Sequence, residues 1–364
     1  MNSMRCSHSS MAERHTSGKA DTLRDLTRST TLCQAARADG KIRCLACPHG
    51  CLVAPGCAGI CGVRFHRDGT LCAPHGYVSS LACDPVEKKP FYHFLPGEDV
   101  LSFGMLGCNL RCRFCQNWSI SQVGRDPQAV GMPRECSAER IVAEARRLDA
   151  AAIASTYNEP LVSIEWMVEI FHLARPLGIR TCCVSNGFAS PQALDMLMPV
   201  LDAMNIDLKC FTEAGYKELG GRLAPVLDTI RRLWSAGKWI EIITLLVPGF
   251  NDDDQELDEL TQFIASVSAD IPWHVSAYHP DYLMVDGPPR TSLAALERAN
   301  AIGRANGLRH VYGGNMRGAC GDTRCHRCDA LLVSRRGFDV VRNELAPEGV
   351  CPACGERLAG IWRG

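Results

Sequence analysis

The segment VLSFGMLGCNLRCRFCQNW, residues 100–118, places a short apolar run directly before three cysteines in the pattern C-x3-C-x2-C. A run of this length, followed by amphipathic stretches and further apolar runs, is typical of a strand in a parallel sheet. The sequence therefore predicts a strand at 100–105 whose carboxyl end leads into a loop carrying Cys108, Cys112 and Cys115. In sheets of this kind, active sites lie beyond the carboxyl ends of the strands.

The same alternation of apolar runs and helical stretches continues over residues 98–315 and predicts an α/β fold. Helix starts are marked by capping residues, such as Ser137 before an apolar stripe and Ser190 followed by Pro191. Six strands are predicted at 100–105, 151–156, 180–185, 203–208, 239–247 and 273–278, with a weaker seventh at 310–312. Six or so β/α units are too few for the usual closed barrel of eight, so we expect an open, partial (β/α)6 barrel.

Three cysteines this close together are suited to an iron–sulfur cluster. A [4Fe-4S] cluster normally takes four thiolates, so three thiolates leave one iron open. Such an iron can chelate the amino and carboxylate groups of S-adenosylmethionine and pass one electron into its sulfonium, which releases a 5'-deoxyadenosyl radical. Two other interpretations stay open. One is a three-thiolate zinc site, whose fourth ligand would have to be distant in sequence, and the other is a set of unconnected cysteines.

A second group of cysteines lies in residues 41–70, which are also dense in glycine and proline. This composition indicates loops that are ordered by a metal instead of by an apolar core. The cysteines of this segment are Cys44, Cys47, Cys51, Cys57 and Cys61. Zinc and an auxiliary iron–sulfur cluster are both compatible with them, because thiolates serve as ligands for either.

A third group, near the C-terminus, forms two C-x2-C pairs separated by 22 residues that include strand-like runs at 330–333 and 338–341. Two such pairs with a hairpin between them are typical of a zinc ribbon or a rubredoxin-like module. The predicted ligands are Cys325, Cys328, Cys351 and Cys354. A closed tetrathiolate zinc site is the first interpretation, and an electron-transfer iron is the second.

Composition favours a reducing, soluble setting. The chain has 364 residues, 46% of them hydrophobic, and a formal net charge of −1, so no strong field attracts nucleic acid or an anionic membrane. The 21 cysteines are an odd number, which argues against complete disulfide pairing and favours metal binding. No apolar run suits a signal peptide or approaches the roughly 20 residues that span a bilayer. We expect a cytoplasmic protein with no membrane or nucleic-acid partner.

These observations divide the chain into four parts. Residues 1–40 are polar without a regular period, and we expect a largely disordered extension. Residues 41–70 form the Cys-rich metal-binding module, and residues 71–316 form the partial barrel. Residues 317–364 form the zinc-ribbon or rubredoxin-like module.

Residues 41–364 resemble the AmmeMemoRadiSam system radical SAM enzyme, within the broader group that includes the pyruvate formate-lyase activating enzymes. The motifs that carry the resemblance, besides the cysteine triplet, are Asn158-Glu159-Pro160, Ser185-Asn186-Gly187 and Asp207-Leu208-Lys209 at the ends of the second, third and fourth strands. The resemblance implies a radical SAM barrel that cleaves S-adenosyl-L-methionine reductively at a [4Fe-4S] cluster. It also implies that the N-terminal metal is held by Cys44, Cys47, Cys51 and Cys61, with Cys57 as an extra thiol.

The resemblance further implies cofactor contacts at the strand ends. Asn158 and Glu159 would reach the amino group of the methionine moiety, since their side-chain oxygens accept hydrogen bonds from an ammonium. Ser185 and Asn186 would lie along the cofactor. The remaining residues implied to reach the cofactor or substrate are Asp207, Lys209 and His279.

The target of the radical is unknown from the sequence. The resemblance implies Memo-like and AMMECR-like proteins as partners or substrates, together with an electron donor such as flavodoxin or ferredoxin. One alternative is a glycyl radical enzyme activase, which the Asp-x-Lys and Asn-Gly motifs support. An alternative of another class is a non-catalytic zinc-binding scaffold, which the terminal cysteine groups would serve.

Overall fold

The computed structural model of the chain describes residues 23–35 and 38–362. The strands are β1 (Thr27–Ser29), β2 (Cys33–Gln34), β3 (Ile42–Cys44), β4 (Leu52–Val53), β5 (Phe65–Arg67), β6 (Thr70–Pro74), β7 (Tyr77–Val78), β8 (Ser80–Pro85), β9 (Asp99–Gly104), β10 (Arg134–Glu135), β11 (Ala152–Ser155), β12 (Arg180–Ser185), β13 (Ala203–Asp207), β14 (Trp239–Leu246), β15 (Trp273–Ala277), β16 (Val311–Gly314), β17 (Thr323–Arg324), β18 (Leu331–Arg336) and β19 (Asp339–Asn343).

The α-helices whose bounds lie within the described residues are α1 (Trp118–Ser121), α2 (Ala138–Arg147), α3 (Ile164–Ala174), α4 (Pro191–Leu197), α5 (Glu213–Glu218), α6 (Leu223–Ser235), α7 (Asp254–Val267) and α8 (Leu293–Ala305). Short 3-10 helices lie at Val86–Lys88, Pro160–Ser163, Arg175–Leu177, Met198–Val200, Tyr282–Met284 and Pro347–Gly349. Among the described helices, none is both long and apolar enough to cross a membrane.

The main sheet has eight strands in the order β16-β15-β14-β13-β12-β11-β9-β8. Strands β9 and β11 to β16 are parallel, and each pairs with the next in chain order. Because right-handed crossovers between successive neighbours all return on the same side, this order puts the connecting helices on one face. All seven carboxyl ends consequently lie at the same edge, where the cysteine loop emerges from β9.

The six predicted strands and the weaker seventh are confirmed within one or two residues, and the seventh is a full member of the sheet. The parallel part therefore has seven strands, one more than the (β/α)6 arrangement that we expected. The antiparallel edge strand β8 was missed. It ends in proline and every residue is only partly buried, so it lacks the apolar run that marks the central strands.

Side-chain caps start the helices where the sequence predicted them. Ser137 accepts a hydrogen bond from the backbone N–H of Arg140 at the start of α2, and Ser190 does the same for Ala193 at the start of α4. These bonds satisfy N–H groups that have no partner within the first turn of a helix. The two predicted N-caps are confirmed.

The fold begins earlier than the predicted boundary at residue 41. Strand β1 pairs with β6, and β2 pairs with β3, while Leu23 and Leu32 lie in the core at 5% exposure. The prediction of disorder is therefore wrong for residues 23–35, and residues 1–22 and 36–37 lie outside the described residues. The strands are two or three residues long and gain their order from distant partners, which a local pattern does not reveal.

The C-terminal module is a three-stranded sheet in the order β17-β18-β19, which confirms the predicted hairpin. A buried ion pair joins it to the segment before β9, with Arg335 Nε 3.2 Å from Glu87 Oε1 and both side chains at most 1% exposed. The guanidinium also lies over the ring of Tyr92, 4.1 Å from its centroid. The module is thus fixed to the main domain by a desolvated charge pair.

Candidate active site and cysteine clusters

The cysteine loop follows β9 and is tightly packed at its start. Gly107 has a φ of +89°, and a Cβ there would lie 2.8 Å from the carbonyl oxygen of Cys61 and 2.6 Å from Val63 Cγ2. Only glycine adopts this backbone region without strain and also leaves room for such an approach. The N-terminal module therefore touches the loop directly before its first cysteine.

Asn158 holds the loop through both ends of its side-chain amide. Its Oδ1 accepts from the backbone N–H of Met105 at 2.9 Å, and its Nδ2 donates to the carbonyl oxygen of Gly107 at 3.1 Å. The residue is 8% exposed, so these bonds replace water for the loop backbone. We predicted that Asn158 would contact the cofactor; in the structure its amide is used to shape the cysteine loop.

Glu159 connects the ends of β11 and β12. Its carboxylate accepts from the Ser185 hydroxyl at 2.7 Å and from the backbone N–H of Asn186 at 2.8 Å. Burial raises the pKa of Glu159 to about 7, although these donors and the N–H of Leu161 favour the charged form. The predicted residues Glu159, Ser185 and Asn186 are therefore brought together, with Glu159 turned toward neighbouring protein groups.

Asn186 in turn contacts the cysteine loop. Its Nδ2 donates to Asn109 Oδ1 at 2.7 Å and lies 3.8 Å from Cys108 Sγ. Asn109 also donates from its Nδ2 to the carbonyl oxygen of Phe188 at 3.1 Å. The carboxyl end of β12 thus fixes the cysteine loop at its first cysteine.

Asp207 and Lys209 form an ion pair with Nζ 3.1 Å from Oδ2. Burial alone would lower the pKa of Lys209, but Asp207 and Cys112 raise it above its usual value. Burial raises the pKa of Cys112 to about 12, and the charge of Lys209 opposes that rise. This ion pair therefore places one positive and one negative charge close enough to the cysteine triplet to affect the pKa values of its thiols.

His279 lies at the far end of the loop. Its Nδ1 accepts from Gln116 Nε2 at 3.1 Å, and Gln116 directly follows Cys115. The carboxyl ends of β13 and β15 therefore both lie beside the loop that follows β9, as the topology requires.

Several residues that shape the loop were not predicted. One guanidinium nitrogen of Arg125 donates to the carbonyl oxygens of Cys108 and Leu110, at 2.9 and 2.8 Å. Ser121 Oγ lies 3.2 Å from Cys115 Sγ and opposes the rise in its pKa that burial causes. The nearness of Arg125 and Ser121 to the triplet in sequence is the only signal that pointed to them.

The donor set fits an iron–sulfur cluster. The thiol of Cys108 accepts from the backbone N–H of Leu110 at 3.3 Å, and Ser121 provides a similar partner for Cys115. Hydrogen bonds to sulfur stabilise thiolate ligands and tune such clusters. Within residues 23–35 and 38–362, the triplet is not part of any group of three or more ligand atoms that all lie within 4.8 Å of one another.

The C-terminal cysteines do form such a compact group. The ligand atoms of Cys325, Cys328, Cys351 and Cys354 all lie within 4.8 Å of one another. The Cys325–Cys354 and Cys328–Cys351 sulfur distances are 3.6 and 3.7 Å, close to the edge of about 3.8 Å in a tetrahedron with metal–sulfur bonds of about 2.3 Å. This is a four-thiolate metal site, and its geometry suits zinc and iron alike.

The N-terminal cysteines form a looser group. Burial raises the pKa of Cys47, and the nearby thiols of Cys61, Cys44 and Cys51 raise it further. Within the described part of the chain, however, these four sulfur atoms do not meet the 4.8 Å spacing of the C-terminal site. The predicted ligands Cys44, Cys47, Cys51 and Cys61 are therefore neighbours in the structure, in a wider group than the C-terminal four.

Residues 104–261 match the Radical SAM superfamily. A protein of Methanocaldococcus jannaschii, described as uncharacterized, is 39% identical over 324 residues, which cover 88% of this chain and 96% of that protein. The pyruvate formate-lyase-activating enzyme of Listeria monocytogenes is 29% identical over 185 residues, which cover 47% of this chain and 71% of that enzyme.

Among solved structures, Streptococcus suis SuiB bound to S-adenosylmethionine is similar with a TM-score of 0.47 and 16% identity, over 64% of this chain and 53% of that one. The family match covers the cysteine loop and the carboxyl ends of β9 and of β11 to β14. The chain therefore belongs to the radical SAM superfamily and is a radical SAM enzyme.

Proposed function

We propose that Cys108, Cys112 and Cys115 hold the [4Fe-4S] cluster that the family implies, and that the enzyme starts a radical modification of a further substrate. The observation that carries this proposal is the triplet itself, held at the carboxyl ends of seven parallel strands by Asn158 and Arg125. When bound, the cluster supplies the electron that cleaves S-adenosylmethionine to a 5'-deoxyadenosyl radical.

The residues around the cysteine loop would bind and orient the cofactor. We propose that Asp207 and Lys209 contact the cofactor, since they present carboxylate and ammonium groups near Cys112. Such groups pair with the carboxylate, ammonium and hydroxyl groups that S-adenosylmethionine carries. Asn186, whose side-chain amide is bonded to Asn109 and to the backbone N–H of Phe188, would hold the loop beside the cofactor. His279, which accepts from Gln116, would border the adenosyl group. Glu159 would act by fixing Ser185 and Asn186.

The assignment of the cluster is tested by anaerobic purification and metal analysis. We expect roughly four irons per chain at the triplet, with absorption near 400 nm that dithionite bleaches. Cys112→Ala should lose this iron, whereas Cys320→Ser, which removes an exposed thiol outside the three cysteine groups, should keep it. Full iron in Cys112→Ala would contradict the assignment, and iron-free wild-type protein would favour the zinc scaffold.

We also propose that the C-terminal quartet holds a structural zinc, because a closed four-thiolate site on a small sheet with little core is typical of zinc ribbons. Cys328→Ser should lower zinc by about one per chain without lowering the iron of the triplet. Iron in place of zinc at this site would favour electron transfer. The looser set of Cys44, Cys47, Cys51 and Cys61 would hold zinc or an auxiliary iron–sulfur cluster, which the same metal analysis separates.

A protein is the substrate class that we propose, in a cytoplasmic setting with a flavodoxin- or ferredoxin-type electron donor. Memo-like and AMMECR-like proteins are the first candidates, because residues 41–364 resemble the radical SAM enzyme of that system. The test is mass spectrometry of such partners after anaerobic reaction. A mass change that requires S-adenosylmethionine and an intact Cys112 supports the proposal, and unchanged partners would oppose it.

Activation of a glycyl radical enzyme is a second candidate, supported by the relatives named pyruvate formate-lyase-activating enzyme. The readout is a glycyl radical doublet in the electron paramagnetic resonance spectrum of the partner. A doublet would favour this candidate over the Memo-like and AMMECR-like partners.

A further inference from the structure

The Cys-rich N-terminal module reaches the cysteine loop at two points. One is the close approach at Gly107, where an added Cβ would lie 2.8 Å from the carbonyl oxygen of Cys61 and 2.6 Å from Val63 Cγ2. The other is a hydrogen bond between His49 Nε2 and the backbone carbonyl oxygen of Asn109, at 2.8 Å. The two contacts lie on either side of Cys108, the first cysteine of the triplet.

His49 is placed between two proposed metal ligands of its own module, Cys47 and Cys51. Its ring stands edge-on to Phe188, with 5.1 Å between the centroids. His49 thus connects the N-terminal cysteine group to the loop that carries the cysteine triplet.

The acceptor of this bond is buried. Asn109 is 1% exposed, and a carbonyl oxygen can only accept, so His49 must carry its ring proton on Nε2. The side chain of Asn109 is engaged separately, with Asn186 and with the carbonyl of Phe188. Without the His49 donor, the Asn109 carbonyl would lose its described partner, and unsatisfied buried carbonyls are costly.

We propose that His49 is a positioning residue for the [4Fe-4S] cluster, through which the N-terminal module sets the geometry of the loop at Cys108. This inference rests on the proposed function, since that function assigns the cluster to the triplet. It makes the N-terminal module part of the radical site, and not only a separate metal-binding element.

The test compares two substitutions in the full-length, anaerobically reconstituted enzyme. His49→Phe keeps a ring against Phe188 but removes the donor, whereas His49→Gln keeps a donor near the position of Nε2. We expect His49→Phe to lose cluster iron to a chelator roughly tenfold faster than the wild type, as for other outer partners of metal ligands, with a changed spectrum of the reduced cluster in electron paramagnetic resonance. His49→Gln should remain close to the wild type in both readouts.

Zinc content at the C-terminal site and the thermal midpoint serve as controls for general damage. If His49→Phe does not fold, His49→Met is the second donor-free variant, because methionine adapts to irregular space. If a folded donor-free variant loses iron at the wild-type rate and has an unchanged spectrum, this inference is overturned and the proposed function still stands. A wild-type enzyme that never binds iron at the triplet would overturn the proposed function and this inference with it.

Discussion

The backbone N–H of Met105 donates to Asn158 Oδ1 at 2.9 Å, across 53 residues of sequence. The side-chain nitrogen Nδ2 of Asn158 donates to the carbonyl oxygens of Leu106 and Gly107. This one side chain therefore fixes three consecutive residues directly before Cys108. It makes the end of β11 a support for the loop that follows β9.

Asn158→Asp should weaken the cluster without weakening cofactor binding. The new carboxylate oxygen would face the carbonyls of Leu106 and Gly107, where a donor now stands, and the loop would shift. We expect the retention of cluster iron to fall roughly tenfold, which is the usual size of the effect for outer partners of metal ligands. The measurement is iron per chain together with the Kd for S-adenosylmethionine of the fraction that retains the cluster.

Direct contact of Asn158 with the cofactor, as the sequence motif first indicated, gives the opposite pattern. Iron retention would then be normal and the Kd would rise. The two readouts together separate a loop-shaping role from a ligand-binding one.

His310→Phe should stabilise the enzyme in mild acid. Burial lowers the pKa of His310 to about 3, with His326 and Arg309 acting in the same direction, while an unfolded histidine has a pKa of about 6.5. The unfolded state therefore binds more protons between these values, and the wild type loses stability as the pH falls from about 6.5 toward 3. At pH 5 this linkage amounts to about 2 kcal/mol.

The phenylalanine removes that dependence and keeps a ring beside His93, whose centroid is 4.3 Å from that of His310. It also deletes no hydrogen bond at Nε2, because this buried atom has no partner among the described residues. Thermal unfolding of both proteins from pH 4.5 to 8 is the measurement. Parallel curves for the two proteins would show that His310 does not titrate on unfolding.

Arg335→Met should loosen the C-terminal module. It leaves the Glu87 carboxylate buried without its cation, and breaking such a pair typically costs about 3–5 kcal/mol. The double variant Arg335→Met with Glu87→Met removes both charges and should recover part of that loss. Chemical denaturation of the two single variants and the double variant measures the coupling. Strict additivity of the single effects would mean that the charges do not interact.

The sequence predicted the parallel sheet well because its strands are continuous apolar runs. The runs at 180–185 and 203–208 match β12 and β13 to within one residue. Strands β1 and β2 and the edge strand β8 escaped prediction for a shared reason. Their order comes from pairing with other strands and not from a pattern within their own few residues.

The sequence places the candidate site residues at strand ends, and the structure brings several of them together. The topology places Asp207, Lys209 and His279 beside the triplet, as a parallel sheet requires of residues at strand ends. The roles of Asn158, Arg125 and His49 depend on hydrogen bonds to backbone atoms of the loop. Such contacts are set by three-dimensional packing, and no spacing in the sequence encodes them.

The most direct test of the central claim is the formation of 5'-deoxyadenosine. Reconstituted enzyme, reduced anaerobically with S-adenosylmethionine, should release it as detected by mass spectrometry. Cys112→Ala should release none, and Cys320→Ser should match the wild type. Release of 5'-deoxyadenosine by the Cys112→Ala variant, or none from wild-type enzyme that carries its iron, would contradict the assignment of the triplet as the radical-generating site.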